Sequence, residues 1–242
     1  MRRKPAYFVT GTDTEIGKTL VSCALLHALT GCGLRAAGMK PVAAGAFVLN
    51  GALHNEDVDA LAAAASMVLP QGLTTPYLLP DATAPHIAAG LDGVSIDIDQ
   101  IYACYHRVYD AAEAIVVEGV GGFRVPLSSR FDTADLAVRL GLPVILVVGL
   151  RLGCINHALL TADAVAARGL RLAGWVANVI DASMCNLDAN VVALAARLPA
   201  PLLGCVPRLT AALPSAAAAH LDCSMLPDWP RPPFRITAPR TV

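Results

Sequence analysis

The chain has 242 residues, 55% hydrophobic and 15% charged, with 18 Lys plus Arg against 19 Asp plus Glu for a formal net charge of −1. That composition excludes disorder, which needs low hydrophobicity and high net charge, and it shows no basic excess for binding nucleic acid. The longest apolar stretch, residues 143–150, is far short of the roughly 20 residues that cross a bilayer. The opening Met-Arg-Arg-Lys-Pro-Ala-Tyr-Phe-Val runs straight into a strand pattern, so no signal peptide is expected. Seven scattered cysteines without a CxxC pair argue against disulfides and a Cys-based zinc site. A soluble cytoplasmic protein is expected.

In chain order, Ala6-Tyr7-Phe8-Val9-Thr10 is an apolar run of the kind that forms a buried parallel strand. It ends in Gly11-Thr12-Asp13-Thr14-Glu15-Ile16-Gly17-Lys18-Thr19, followed by helical spacing over residues 18–29 that Gly31 and Gly33 stop. A Gly-rich turn between strand and helix aims backbone N–H groups and the helix dipole at an anion. Lys18 would reach the β- and γ-phosphates of a nucleotide, and the Thr19 hydroxyl would ligate Mg²⁺. Five residues, Thr12 to Ile16, stand where the usual phosphate loop has four, so the loop is a lengthened variant.

A second strand is expected over residues 35–42, and further strands at 114–119, 143–148 and 172–178. Helical stretches near 57–66, 98–113, 133–140, 155–168 and 187–198 separate them. The alternation predicts an α/β fold: one P-loop NTPase-type domain over residues 1–212, doubly wound, with a mostly parallel sheet and helices on both faces. Residues 74–90 read as a long loop of functional type. Residues 213–242, Ala-rich and then crowded with prolines, read as a loosely packed tail.

Glu118 closes the apolar run Ile115-Val116-Val117 and precedes Gly119-Val120-Gly121-Gly122. At the carboxyl end of a central strand it would face the same crevice as the phosphate loop, where Mg²⁺ takes hard oxygen ligands. Asp57 and Asp59, at a helix start, are alternative further ligands, although the helix dipole alone favours acids there. Lys40, ending the second strand, would neutralise charge on a transferring phosphoryl group. His86 and His157 are candidate bases or plain structural histidines, and Trp175 is expected in the core.

Together these segments resemble the dethiobiotin synthetase family. The likeness rests on the phosphate loop, on Gly38-Met39-Lys40-Pro41-Val42-Ala43, Asn55-Glu56-Asp57, Pro85-His86, Val117-Glu118-Gly119-Val120-Gly121-Gly122 and Pro126-Leu127. It continues through residues 143–148 into Leu152-Gly153-Cys154-Ile155-Asn156-His157-Ala158, then Gly174-Trp175-Val176-Ala177-Asn178 and Pro201-Leu202-Leu203-Gly204-Cys205-Val206-Pro207. The resemblance implies an ATP- and Mg²⁺-dependent ligase that carboxylates 7,8-diaminononanoate with CO₂ and closes the ureido ring of dethiobiotin. The implied route passes through an N-carbamate and a carbamic–phosphoric anhydride.

By the same resemblance, Lys18 and Lys40 are catalytic, and Thr19, Asp57 and Glu118 hold the metal. The nucleotide would be held by Thr14, Glu15, Ile16, Gly17, Lys18, Thr19 and Leu20, by Gly119, Val120 and Gly121, and by Asn178, Val179, Pro207, Arg208 and Leu209. The diamine would lie by Thr14, Glu15, Lys40, Ala44, Gly121 and Gly122. Leu152, Gly153 and Asn156 would reach the substrate of the partner subunit in a homodimer. Three departures stand out: Ala44 replaces the family's serine, residues 187–198 lack its substrate-contacting tyrosine, and the chain after Leu209 is unlike the family. Ala44 leaves open a weakened relative that binds nucleotide but turns over slowly. A partition- or septum-type ATPase would need a lysine early in the loop, where Thr12, Asp13, Thr14 and Glu15 stand. A cobalamin-type amidoligase would need a glutaminase domain for which the chain is too short.

Overall fold

A computed structural model of the protein describes residues 3–230. The first half runs β1 (Ala6–Gly11), α1 (Lys18–Gly31), β2 (Ala36–Met39), β3 (Val42–Ala44), β4 (Phe47–Leu49), β5 (Ala52–His54), α2 (Glu56–Ala64), α3 (Gln71–Thr74), β6 (Tyr77–Leu79), α4 (Pro85–Leu91) and α5 (Ile98–Ala111). The second half runs β7 (Ala114–Glu118), α6 (Thr133–Leu140), β8 (Val144–Leu150), α7 (Cys154–Ala167), β9 (Leu172–Val179), α8 (Leu187–Ala195), β10 (Leu202–Val206) and α9 (Pro214–Ala218).

The main sheet has the order β10-β9-β8-β1-β7-β2, with every neighbouring pair parallel. β1, β7 and β8 are buried throughout, which is why their sequences are unbroken apolar runs. Alternate residues serve opposite layers. Tyr7 and Val9 pack with α1 residues Val21, Leu25 and Leu29, while Phe8, Ile115 and Val117 pack with Ile101, Val108 and Leu136 of α5 and α6. From β1 the chain winds outward to β2, returns to β7, and then builds β8, β9 and β10 on the other side. Its direction reverses at β1, so the crevice beyond the carboxyl ends of β1 and its neighbours is the place for a ligand.

Three expectations about local structure change. The strand expected over residues 35–42 is two: β2 pairs with β7 in the main sheet, and β3 pairs with β6 in a separate small sheet. Pro41, with no N–H to donate, falls in the break. Residues 74–90 are not one loop, since they contain β6 and α4, with Pro85 in the first turn of α4 where its fixed φ suits a helix start. β4 and β5 form a hairpin across Asn50-Gly51, both at positive φ (52° and 80°), as two-residue hairpin turns require.

The expected loose tail is also corrected as far as Pro230. α9 lies on α1, Ala217, Cys223 and Leu226 are buried, and Trp229 packs on Tyr7 with ring centroids 6.0 Å apart. The Tyr7 hydroxyl donates to the Pro227 carbonyl at 2.6 Å. A few apolar anchors among alanines and prolines are enough, because α1 and Tyr7 of β1 offer them apolar surface to pack on. Pro232, Pro233 and Pro239 lie outside the described residues. Among the described residues, no helix is long and apolar enough to cross a membrane.

Candidate active site

The turn between β1 and α1 is fastened from three sides. The Thr12 N–H donates to the Val147 carbonyl at 3.1 Å, and Asn178 of β9 donates its side-chain amide to the Ile16 carbonyl at 2.8 Å. Asp13 accepts from the Thr14 N–H at 2.8 Å and pairs with Arg151 at the end of β8. Glu15 and Gly17 are left-handed, at φ 57° and 89°. A Cβ on Gly17 would stand 2.2 Å from the Asn178 amide nitrogen, so only glycine fits there. No described side chain caps the first turn of α1, and that turn holds no acidic residue. Its N–H groups are left to an anion, as a phosphate loop needs.

Lys18, 6% exposed, folds back and donates its ammonium to the Asp13 carbonyl at 2.8 Å. Burial first, then the nearby Lys40 charge, push Lys18 down to about 8, against the upward pull of Glu118, Asp57 and Asp13. A group with that value is mostly protonated at neutral pH, and the described hydrogen bond of its ammonium goes to a carbonyl and not to a carboxylate. Nucleotide affinity should therefore weaken as pH rises through about 8, and nucleotide binding near that pH should take up a proton. Calorimetry in two buffers of different ionisation enthalpy measures the uptake, and binding without proton uptake at pH 8 would contradict this assignment.

At the floor of the crevice, Lys40 of the β2–β3 link meets Glu118 of β7 and Asp57 of α2. Its ammonium, on a residue 4% exposed, donates to Asp57 Oδ2 and Glu118 Oε1, both at 2.6 Å. Burial works against the Lys40 charge, yet the two carboxylates outweigh it and hold its pKa above the ordinary lysine value. Burial also pushes the Asp57 carboxyl up, and Lys40, Thr19 and Lys18 together bring it below the usual range. Thr19 Oγ1 lies 2.6 Å from Asp57 Oδ1 and 2.9 Å from Glu118 Oε1. Asn55 sets this corner: its side chain caps α2, accepting from the Asp57 and Val58 N–H groups at 3.1 and 3.3 Å, and donates to the Ala44 carbonyl at 3.1 Å.

Thr19, Asp57 and Glu118 thus converge as hard oxygen donors, and the fully buried Glu118 keeps one oxygen, Oε2, with no hydrogen-bond partner. That orphan and the donor chemistry fit a magnesium ion. The described residues hold no group of three acidic, His or Cys ligands, so such an ion would also draw on phosphate and water oxygens. Asp59 turns away to His54 Nδ1 at 2.9 Å and does not join the cluster.

A cavity of about 950 Å³ opens above these groups, lined by Thr14, Glu15, Gly17, Lys18, Thr19, Lys40, Ala44, Asp57, Val120 and Gly121 among others. Gly121, at φ 61°, brings its turn against the phosphate loop: a Cβ there would sit 3.4 Å from Thr14 Oγ1 and 2.9 Å from Val125 Cγ2. Gly119 and Gly122 belong to the same turn. Phe47, Ala82, Thr83 and Ala84 complete the wall. Ala82, Thr83 and Ala84 fall in the 74–90 stretch expected to be functional, whereas Phe47 is not among the expected site residues, although Asn50-Gly51 is a readable sign of the hairpin that presents it. Val179 follows Asn178 at the end of β9, and Pro207, Arg208 and Leu209 follow β10, with Arg208 donating to the Ile180 carbonyl at 2.5 Å. Leu20 is half-buried on α1. Leu152, Gly153 and Asn156 do not line the cavity: Leu152, 94% exposed, and Gly153 are on the turn from β8 into α7, and Asn156 is in the first turn of α7. His86 and His157 are exposed on helices and do not line the cavity, although His86 directly follows the lining residues Ala84 and Pro85; Trp175 is fully buried, as expected.

A model of the family described as an AAA domain matches residues 5–215. Among solved structures, the MinD cell division protein of Aquifex aeolicus superimposes with a TM-score of 0.56 at 14% identity, covering 90% of this chain and 88% of that one. A ParA family ATPase from Chlorobium tepidum TLS gives 0.54 at 13% identity, covering 90% and 91%. At that identity the likeness shows the fold alone: one α/β domain of the P-loop NTPase kind. A curated protein of Janthinobacterium sp. (strain Marseille), the ATP-dependent dethiobiotin synthetase BioD, is 66% identical over 228 residues, 93% of this chain and 97% of that protein. With an identity that high over nearly its whole length, the chain belongs to the ATP-dependent dethiobiotin synthetase family.

Proposed function

We infer that the protein uses ATP to carboxylate 7,8-diaminononanoate with CO₂ and close the product to dethiobiotin, releasing ADP and phosphate. The observation that carries this reading is Lys40, held between Asp57 and Glu118 at 2.6 Å from each, on the floor of the phosphate-loop cavity of a chain in that family. One amine of the substrate adds to CO₂ and loses a proton, giving a carbamate. A carbamate oxygen takes the γ-phosphoryl group and ADP leaves. The second amine then attacks the carbamate carbon and gives up a proton to the departing phosphate or to solvent, phosphate leaves with the C–O electron pair, and a cyclic urea results.

Lys18 and the open first turn of α1 bind the β- and γ-phosphates, and Lys40 meets the charge that builds on the transferring group. Thr19, Asp57 and Glu118 would hold Mg²⁺, which when bound neutralises phosphate charge. Thr14, Glu15, Gly121 and Gly122 seat the diamine beside the loop, with Ala44 across from them. The adenine lies toward Asn178, Val179 and the segment Pro207-Arg208-Leu209, and Ile16, Gly17, Leu20, Gly119 and Val120 frame the nucleotide. The Asn178 amide nitrogen is committed to Ile16, which leaves its carbonyl oxygen for the adenine amino group. Leu152, Gly153 and Asn156, exposed off this cavity, suit a homodimer in which they reach the partner's substrate and help to exclude water from the labile anhydride. The enzyme acts in the cytoplasm.

The test is phosphate release from Mg-ATP with 7,8-diaminononanoate, with and without bicarbonate. Release that needs both, with a cyclic urea as product, is expected. Release without the diamine would replace this reading with a switch-type ATPase, and ATP binding without release would make the chain a weakened relative, Ala44 being the first suspect.

A further inference from the structure

The turn that faces Thr14, Gly119-Val120-Gly121-Gly122, carries three glycines, so beyond the Val120 side chain it can offer a ligand little but backbone. What it contributes is therefore its position, and a displacement on the order of 1 Å in such a group is enough to cost binding or rate heavily. Something must hold it. The side chain that does so is Thr133, the first residue of α6 and 2% exposed. Its hydroxyl donates to the Phe123 carbonyl at 2.6 Å and accepts from the Val125 N–H at 3.0 Å. Its own N–H donates to the Val125 carbonyl at 2.9 Å, so both backbone groups of Val125 end on one residue. The Val125 side chain in turn lies against Gly121 and lines the cavity with it.

The anchor is itself immobilised. Asp132 and Asp135 cap α6 reciprocally, Asp132 N–H to Asp135 Oδ2 at 2.8 Å and Asp135 N–H to Asp132 Oδ1 at 3.0 Å. Arg124 of the turn pairs with Asp132, and Arg168, just after α7, pairs with Asp135. Behind the cap, Ala134, Leu136 and Ala137 are buried in the core. We propose that Thr133 is a positioning residue for the reaction: its hydroxyl fixes the 121–125 turn to the N-terminus of α6, and through that turn sets the seat of the diamine without touching it. The role rests on the function inferred above.

The experiment compares Thr133→Val, which keeps the shape and removes the hydroxyl, with Thr133→Ser, which keeps the hydroxyl. Thr133→Val is expected to raise KM for the diamine about tenfold or more while the dissociation constant for ATP stays within about twofold, and Thr133→Ser to stay near the parent in both. Amide hydrogen exchange at residues 121–125 should quicken in Thr133→Val and be restored in Thr133→Ser, a readout that needs no turnover. An unchanged KM in an active variant, or an equal loss of ATP and diamine binding, would overturn the proposal. If Thr133→Val does not fold, Arg124→Gln carries the test, with a smaller rise in the diamine KM and unchanged ATP affinity, and no rise refutes it. A parent chain that makes no cyclic urea from the diamine would defeat the functional reading, and unchanged exchange in the 121–125 turn would still defeat the anchoring role separately.

Discussion

Replacing Lys40 by alanine is expected to lower kcat by about 10²–10³ while ATP affinity changes much less, because the role proposed for its ammonium is to meet the charge that develops in transfer. The same substitution should also destabilise the free protein. Lys40 stands between Asp57 and the fully buried Glu118, and taking away one partner of a buried ion pair leaves the other uncompensated, at a cost of about 3 kcal/mol or more. Millimolar Mg²⁺ should recover much of that loss in the variant, since a divalent cation among Thr19, Asp57 and Glu118 restores the missing positive charge. Thermal unfolding with and without Mg²⁺ separates the two effects. Normal kcat would remove Lys40 from the chemistry, and a melting temperature indifferent to both the substitution and Mg²⁺ would contradict the geometry drawn from the cluster.

Lys18→Met has the opposite signature. Nucleotide binding should weaken by at least about a hundredfold, because the cation proposed to meet the phosphates is gone. The nucleotide-free protein, however, should become more stable. The Lys18 pKa is pushed down from 10.5 to about 8, which places its charged form at a disadvantage on the order of 3 kcal/mol in the fold, and methionine carries no charge to desolvate. Between pH 8 and 10.5 the unfolded parent chain binds more protons at this position than the folded one, so its stability gains with pH across that window. The variant should lack that gain. Denaturant titrations at pH 7 and pH 10 test it, and a variant less stable than the parent at pH 7 would show that Lys18 supports the fold rather than straining it.

Much of this site could be read before any coordinates. β1, the phosphate loop and α1 were legible because a buried parallel strand, a Gly-rich turn and a helix follow one another with no interruption. α6 was legible to the residue, Thr133–Leu140, because Asp132 caps its start and Gly141 ends it in a left-handed conformation. What failed were short elements whose partners are remote in sequence. β3 exists only because β6 pairs with it, 35 residues on by the register Val42 to Tyr77. The stretch from Leu213 to Pro230 looked like filler because its anchors are few, and only the apolar face of α1 and the ring of Tyr7 make them significant.

Asp57 against Asp59 shows where the division lies. The sequence by itself determined the fold class, the Gly-rich turn between β1 and α1, and the residue types proposed for a nucleotide and metal site, since those depend on periodicity and on chemistry carried by neighbours in the chain. Residue chemistry alone could not rank two acids in one helical turn, and only the family resemblance favoured Asp57. The tertiary structure decided, by turning Asp57 onto Lys40 and Thr19 and leaving Asp59 to His54. The same holds for the hold of Asn178 on Ile16 across 162 residues and of Thr133 on the glycine turn. Helix phase and sheet order fix which side chains share a crevice, and those follow from the packing of the whole chain and not from any local run of it.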